Sequence, residues 1–163
     1  MAAEATDEAK AIARSLAATF GGKPSVNIWW DEPETTSVAF LRCDAAPQEG
    51  VSSFATVNLS DRAISAGGGP GDLRVEIVGA CATRTREFPN VISTCAFSVI
   101  KDGWAIAPGA IFPDVVAMYG ISRTLRHVAR VRTRVSGDFP GSLVTLLFTF
   151  TVANDAIARL EIA

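Results

Sequence analysis

Strand-like segments that follow one another without an intervening helix constrain the fold of this 163-residue chain most strongly. Residues 26–30 and 37–43 read as two strands joined by the acidic, turn-like segment 31–34, and residues 51–59 read as a third strand. In residues 73–77 apolar and charged side chains alternate, which is typical of a half-buried strand. Since strands cluster here instead of alternating with helices, the pattern predicts a largely antiparallel or mixed sheet.

Two helical patterns flank these strands. Thr6 is a suitable N-cap for a helix over residues 6–20, which Gly21 and Gly22 would end. A second helix is predicted after residue 87, with Asp102-Gly103 at its end. Its buried face repeats at i, i+3, i+4 and i+7 through Phe88, Val91, Ile92, Cys95, Ala96 and Val99. A short third helix is expected over residues 113–119.

Two further strands are predicted near the C-terminus, over residues 125–135 and 143–152. The intervening segment, residues 136–141, has the composition of a hairpin turn. Together the patterns predict an α+β fold in which a central sheet packs against helices and an N-terminal helix comes first. No composition shift marks a boundary, so a single domain over residues 1–163 is expected.

Charge and cysteine content exclude several classes of protein. The formal net charge is only −2, which does not favour nucleic-acid binding. The three cysteines show no paired spacing, so neither a disulfide framework nor a zinc site is predicted. The first eight residues are acidic where a signal peptide would be basic, and no apolar run is long enough to cross a membrane. We therefore expect a cytoplasmic protein.

Four arginines recur on one face of the predicted strand 125–135. Arg126, Arg130, Arg132 and Arg134 would project from the same side, with alternate residues about 7 Å apart. Such a stripe forms a solvated outer face, protects a strand edge, or binds an acidic partner surface through bidentate guanidinium–carboxylate contacts. No aromatic residues interleave with it, which favours a protein partner over nucleic acid.

Adjacent tryptophans, Trp29 and Trp30, would point to opposite faces of their strand. One ring packs inward, and the other is either covered by a helix or exposed as an interface anchor. We take Trp30, together with the four arginines, as the candidate partner-binding residues.

Catalytic patterns are weak throughout the chain. The only histidine, His127, lies on the apolar side of its strand, and Cys81 and Cys95 sit where small buried hydrophobic residues are expected. Glycine-rich residues 67–71 lack the Gly-Lys-Ser/Thr ending of a phosphate-binding loop. Asp31 and Glu32 read as solvated turn residues. We predict no catalytic residue, cofactor or metal; a small Cys/His hydrolase is the alternative, and it would require His127 beside one of the two thiols.

Four segments, taken in order, resemble the suppressor-of-fused domain family: residues 50–61, 72–80, 108–116 and 125–128. The resemblance implies an α+β domain that grips other proteins. In the animal member, a peptide of a transcription factor is clamped as an added strand, and bacterial single-domain members look like immunity proteins that neutralise a polymorphic toxin. This short chain is similar to the bacterial type, although it departs from the family pattern after Arg132.

The predicted function is therefore a non-enzymatic protein-binding module, of the kind that neutralises a toxin. It calls for an exposed sheet edge or groove suited to strand addition. Besides the hydrolase, a structural or oligomerising domain stands as an alternative, which a large self-complementary apolar patch would favour.

Overall fold

The computed structural model describes residues 5–62, 74–104, 106, 111–122, 128–129, 148–153 and 156–162. The chain divides into two compact units, Met1–Ala107 and Pro108–Ala163, and each is described by itself. The expectation of a single domain over the whole chain stays a prediction.

The first unit consists of a helix, four strands, a 3₁₀ turn and a second helix. In chain order these are α1 (Asp7–Phe20), β1 (Lys23–Trp30), β2 (Ser37–Asp44), β3 (Val51–Thr56), a 3₁₀ turn (Leu59–Asp61), β4 (Val78–Ala82) and α2 (Phe88–Asp102). The strands form one sheet in the order β1-β2-β3-β4, and every neighbouring pair is antiparallel. This arrangement confirms the predicted α+β class.

Helix α1 begins and ends as its sequence predicts. The hydroxyl of Thr6 accepts a hydrogen bond from the backbone N–H of Ala9 at 3.1 Å, and Gly21 terminates the helix at a φ of 72°. The apolar side of the helix packs on one face of the sheet. There it meets a buried cluster formed by Leu41, Cys43, Ala46 and Val57.

Helix α2 lies on the other face of the sheet and follows the predicted periodicity. Its buried positions are Val91, Ile92, Ser93, Cys95, Ala96 and Val99, and Gly103 ends it in the left-handed conformation. At its first turn, the ring of Phe88 packs against the ring of Phe54, with centroids 5.5 Å apart. A Cβ on Gly79 would come within 2.9 Å of the Phe88 ring, so the close approach of helix and strand depends on this glycine.

The fourth strand begins later than the alternation in residues 73–77 predicts. Residues 74–77 are not in the ladder, which starts at Val78. One backbone bond forms before the ladder, from the N–H of Thr56 to the carbonyl of Ile77 at 2.9 Å. Side chains make the other contacts: the hydroxyl of Thr56 accepts the N–H of Ile77 at 2.8 Å, and the carboxylate of Glu76 accepts the N–H groups of Leu59 and Ser60. Glu76 thus binds the 3₁₀ turn that ends β3 at Thr56, three residues before the predicted end.

Strand β1 begins at Lys23, three residues before the predicted start, and includes Pro24. A proline has no N–H to donate and is tolerated in a strand at the edge of a sheet. The position of β1 at the edge therefore explains why Pro24 does not delay the strand as its sequence suggests.

Within the second unit, the described residues form four strands and one short helix. Strand β5 (Ile111–Phe112) pairs antiparallel with β6 (Val128–Ala129), and α3 (Val115–Met118) lies within the predicted helix 113–119. Strand β7 (Phe148–Ala153) pairs with β8 (Ala156–Ile162), a strand that the sequence patterns did not predict. The predicted turn 136–141 lies outside the described residues. Across the described residues, no helix combines the length and apolar character needed to span a bilayer.

Candidate functional site: an exposed sheet edge and an aromatic groove

Strand β1 is exposed along its whole length. All eight of its residues are exposed, although each is paired with a residue of β2, in which no residue is exposed and four are buried. Strands with one solvent-exposed edge present unpaired backbone groups, which are a template for pairing with another chain. The edge formed by β1 is the longer of the two edges of this sheet, since β4 has five residues.

The hydrogen-bonding pattern shows which backbone groups of β1 face outward. Just beyond the strand, the N–H of Asp31 donates to the carbonyl of Thr36 at 2.9 Å, so Asp31 faces β2. Because such groups alternate along an antiparallel pair, Trp29 and Asn27 also face β2. The N–H and carbonyl groups of Val26, Ile28 and Trp30 therefore point away from the sheet.

The same three residues carry large apolar side chains that are half exposed. The exposed fractions are 54% for Val26, 49% for Ile28 and 41% for Trp30. Val26 stands opposite Leu41 and Ile28 opposite Ala39, so all three side chains lie on the face of the sheet that α1 covers over β2. The outward edge thus combines available backbone groups with an apolar stripe.

A buried aspartate fixes the turn at the end of this edge. The carboxylate of Asp31 accepts the N–H groups of Thr35 and Thr36 at 2.8 and 2.9 Å, and Lys101 of α2 donates to it at 3.0 Å. Burial alone raises the pKa of Asp31, but the hydrogen bonds from Thr36, Lys101 and Thr35 outweigh it and lower the pKa to about 2. Asp31 is therefore a buried structural anion, and the expectation of a solvated turn residue is wrong.

An aromatic groove lies beside β1 on the face that α2 covers. Its volume is about 410 Å³, and its walls include Trp29, Phe40, Phe54, Pro89, Arg42 and Arg86. The rings of Trp29 and Phe40 meet edge to face, with centroids 6.4 Å apart. The volume and the lining of this groove suit the binding of one or two side chains of a partner.

One arginine of the groove is held in a fixed orientation. The Nε of Arg42 donates to Asp44 at 2.8 Å, and its guanidinium lies 5.6 Å from the centroid of the Phe54 ring. The hydroxyl of Ser52 also donates to Asp44, at 2.5 Å. The hydrogen bonds from Ser52 and Arg42 lower the pKa of the Asp44 carboxyl, so the pair remains ionic.

The three thiols are poorly suited to nucleophilic chemistry. Cys43 and Cys95 are buried, and Cys81 is half-buried. Burial raises the pKa of all three thiols, to about 11 for Cys81 and about 12 for Cys95. The proposed partner of a thiol, His127, lies outside the described residues. Within the described parts of the chain, no cluster of three His, Cys, Asp or Glu side chains could hold a metal ion.

Of the predicted partner-binding residues, only Trp30 lies within the described part of the chain. Its side chain is exposed at the end of β1, as is that of Trp29, so neither ring packs fully inward. Arg126, Arg130, Arg132 and Arg134 lie outside the described residues. Sequence reasoning missed Arg42 and Arg86, although the two-residue period of β2 already places Arg42 on the same face as Phe40.

Comparison with known proteins points to one curated homologue. Over 123 residues the chain is 40% identical to the immunity protein YqcF of Bacillus subtilis (strain 168). The matched stretch makes up 76% of this chain and 64% of that protein, so the chain spans less than two thirds of the length of the curated relative it matches. No family model matches the chain, and no solved structure matches it. The suppressor-of-fused resemblance therefore stays a prediction.

Proposed function

We propose that this chain is a non-enzymatic, immunity-type protein that binds a toxin protein and neutralises it. The homologue that is called an immunity protein supports this class, since the identity extends over most of the chain. Raised thiol pKa values and an Asp31 that is ionised well below neutral pH weigh against an acid–base or thiol-dependent enzyme. The observation that carries the proposal is the edge strand β1, all eight residues of which are exposed.

We propose further that the partner binds by adding an extended segment to the outer side of β1. The outward N–H and carbonyl groups of Val26 and Ile28 would supply the main-chain hydrogen bonds, and the apolar stripe would contact alternate side chains of the added strand. Trp30, at the end of the stripe, would be an aromatic anchor. The arginine stripe of Arg126, Arg130, Arg132 and Arg134 remains a second candidate surface for an acidic partner.

The function can be tested by expressing this protein together with a toxin encoded by a neighbouring gene. We expect a stable complex and loss of toxicity at an equimolar ratio. If the toxin keeps its full activity at a stoichiometric excess of this protein, the immunity proposal for that pair is wrong.

The binding mode is tested by a substitution that removes a single outward N–H. Ile28→Pro should leave the pairing of β1 with β2 intact, because this N–H does not face β2, but it should abolish binding of an added strand. Ile28→Thr is the matched control, since it shortens the side chain and keeps the N–H. If Ile28→Pro neutralises as well as Ile28→Thr does, the partner does not pair with this edge.

A further inference from the structure

We propose that the aromatic groove binds a carboxylate-bearing side chain next to an aromatic or apolar one, in a protein segment. This inference rests on the proposed function, because it names the chemistry of the partner that the same end of the sheet would recognise. It involves side-chain recognition on the α2 face of β1, whereas strand addition involves the backbone of the outer edge. The two can therefore succeed or fail separately.

Two guanidinium groups give the groove its preference for an anion. Arg86 is exposed beside the N-terminal end of α2, and among the described residues it forms no ion pair. Arg42 contacts Asp44 through Nε, so this bond does not engage its two Nη groups. Because Asp44 already forms an ion pair with Arg42, an incoming carboxylate would pair chiefly with the guanidinium group of Arg86.

The orientation of Arg42 is fixed before any ligand arrives. Its guanidinium is held from one side by Asp44 and from below by the Phe54 ring, and Ser52 holds Asp44 in turn. A side chain that is already ordered loses little conformational entropy on binding, which increases the affinity that a single contact can supply. The Asp44 contact and the ring thus preorganise Arg42 to form one wall of an anion site.

The apolar walls of the groove favour an aromatic or apolar side chain next to the carboxylate. Trp29, Phe40 and Pro89 line the same space, and the rings of Trp29 and Phe40 meet edge to face, so they form an apolar corner beside the two arginines. A phosphate backbone would gain little from such a surface, and the net charge of the chain is negative. A protein segment with neighbouring acidic and aromatic side chains matches both parts of the groove.

Two dipeptides of equal size test the proposal on the full chain. The probes are N-acetyl-Phe-Glu amide and N-acetyl-Phe-Gln amide, titrated while the amide shifts of Asn27 and Phe54 and the indole N–H of Trp29 are followed by NMR. We expect the Phe-Glu probe to bind about tenfold more tightly than the Phe-Gln probe, since only the former offers a carboxylate that forms an ion pair with a guanidinium group.

Matched arginine variants assign the preference to the groove. Arg86→Gln should abolish the difference between the probes, while Arg84→Gln should preserve it, because Arg84 is an exposed arginine two residues earlier in the chain but not among the residues that line the groove. Any one of four results would overturn the proposal. These are equal affinities for the two probes, the absence of saturable shifts, equal effects of the two variants, and tighter binding of inorganic phosphate than of the Phe-Glu probe.

The toxin assay keeps this proposal distinct from the proposed function. If Arg86→Gln neutralises a cognate toxin as well as Arg84→Gln does while Ile28→Pro fails, the groove is not used and the immunity function stands. If the wild-type protein fails to neutralise while the dipeptide preference holds, the groove is a carboxylate site in a protein of another function.

Discussion

Strands β1 and β2 have equal lengths and are paired residue for residue, yet their environments are opposite. Both have eight residues, and both carry large apolar side chains. Helices α1 and α2 cover β2 on its two faces, so Leu41 is 1% exposed, while Val26, directly opposite, is 54% exposed. The apolar stripe of Val26, Ile28 and Trp30 thus contributes little to the core of this unit, which is the reason for considering β1 a binding edge.

Truncation of paired residues should show the largest contrast between the strands. Leu41→Ala removes a fully buried side chain from the cluster under α1 and should cost about 2–5 kcal/mol of unfolding free energy. Val26→Ala, across the ladder, should change the unfolding free energy by no more than about 0.5 kcal/mol. Urea unfolding of both variants checks this. A comparable cost for Val26→Ala would show that β1 is buried in the folded protein.

Proline substitutions in adjacent positions should sharpen the contrast within β1 itself. Asn27 faces Phe40 across a hydrogen-bonded pair, so Asn27→Pro leaves a carbonyl of β2 without its donor and should cost about 1–3 kcal/mol. Ile28→Pro removes an outward N–H and should cost less than about 1 kcal/mol. Thermal unfolding followed by circular dichroism distinguishes them. The reverse order would mean that the assignment of outward groups is wrong.

Acidification should loosen the turn that joins the two strands. Asp31 has a pKa of about 2 in the folded protein, below the value of 3.8 for an unperturbed aspartate, so its contribution to stability is complete above about pH 4 and is lost as the pH falls towards 2. Asp31→Asn should flatten the pH dependence of the unfolding free energy between pH 4 and 2. Glu32→Gln is the control, because it removes the same charge from an exposed neighbour. An unchanged slope in Asp31→Asn would contradict the role assigned to this carboxylate.

Amide hydrogen exchange in the unsubstituted protein should show that inward and outward N–H groups alternate along β1. The N–H groups of Val26, Ile28 and Trp30 should exchange much faster than those of Asn27 and Trp29, which are bonded to β2. Strand β2, with neighbours on both sides, should show protection at consecutive residues. Uniform protection along β1 would indicate that another segment already pairs with its outer side.

Local patterns in the sequence predicted much of this fold, because each depends on neighbouring residues. The Thr6 cap fixes the start of α1, and the spacing of Val91, Ile92, Cys95 and Val99 fixes the buried face of α2. The start of β4 was not predictable in this way. In residues 74–77 apolar and charged side chains alternate as in a strand, but Glu76 and Arg74 form hydrogen bonds with Ser60, a partner that no local pattern identifies.

The candidate site was less predictable than the fold, for the same reason. The place of a strand in a sheet is decided by long-range pairing, so the sequence of β1 could not show that it forms an edge. Asp31 lies in a segment with the composition of a solvated turn, yet it is buried, and one of its partners, Lys101, is seventy residues away along the chain. The groove likewise combines Arg42 of one strand with Arg86 and Pro89, which precede and open a helix.

The exposure of β1 also has an evolutionary consequence. Since no side chain of this strand is buried, its residues can be replaced at little cost to folding, provided that they favour an extended backbone. We expect related proteins to diversify rapidly at positions 26, 28 and 30 and to vary little at the facing residues of β2. A lineage could thereby adapt to a changing partner protein through substitutions in one strand, while the rest of the sheet is inherited unchanged.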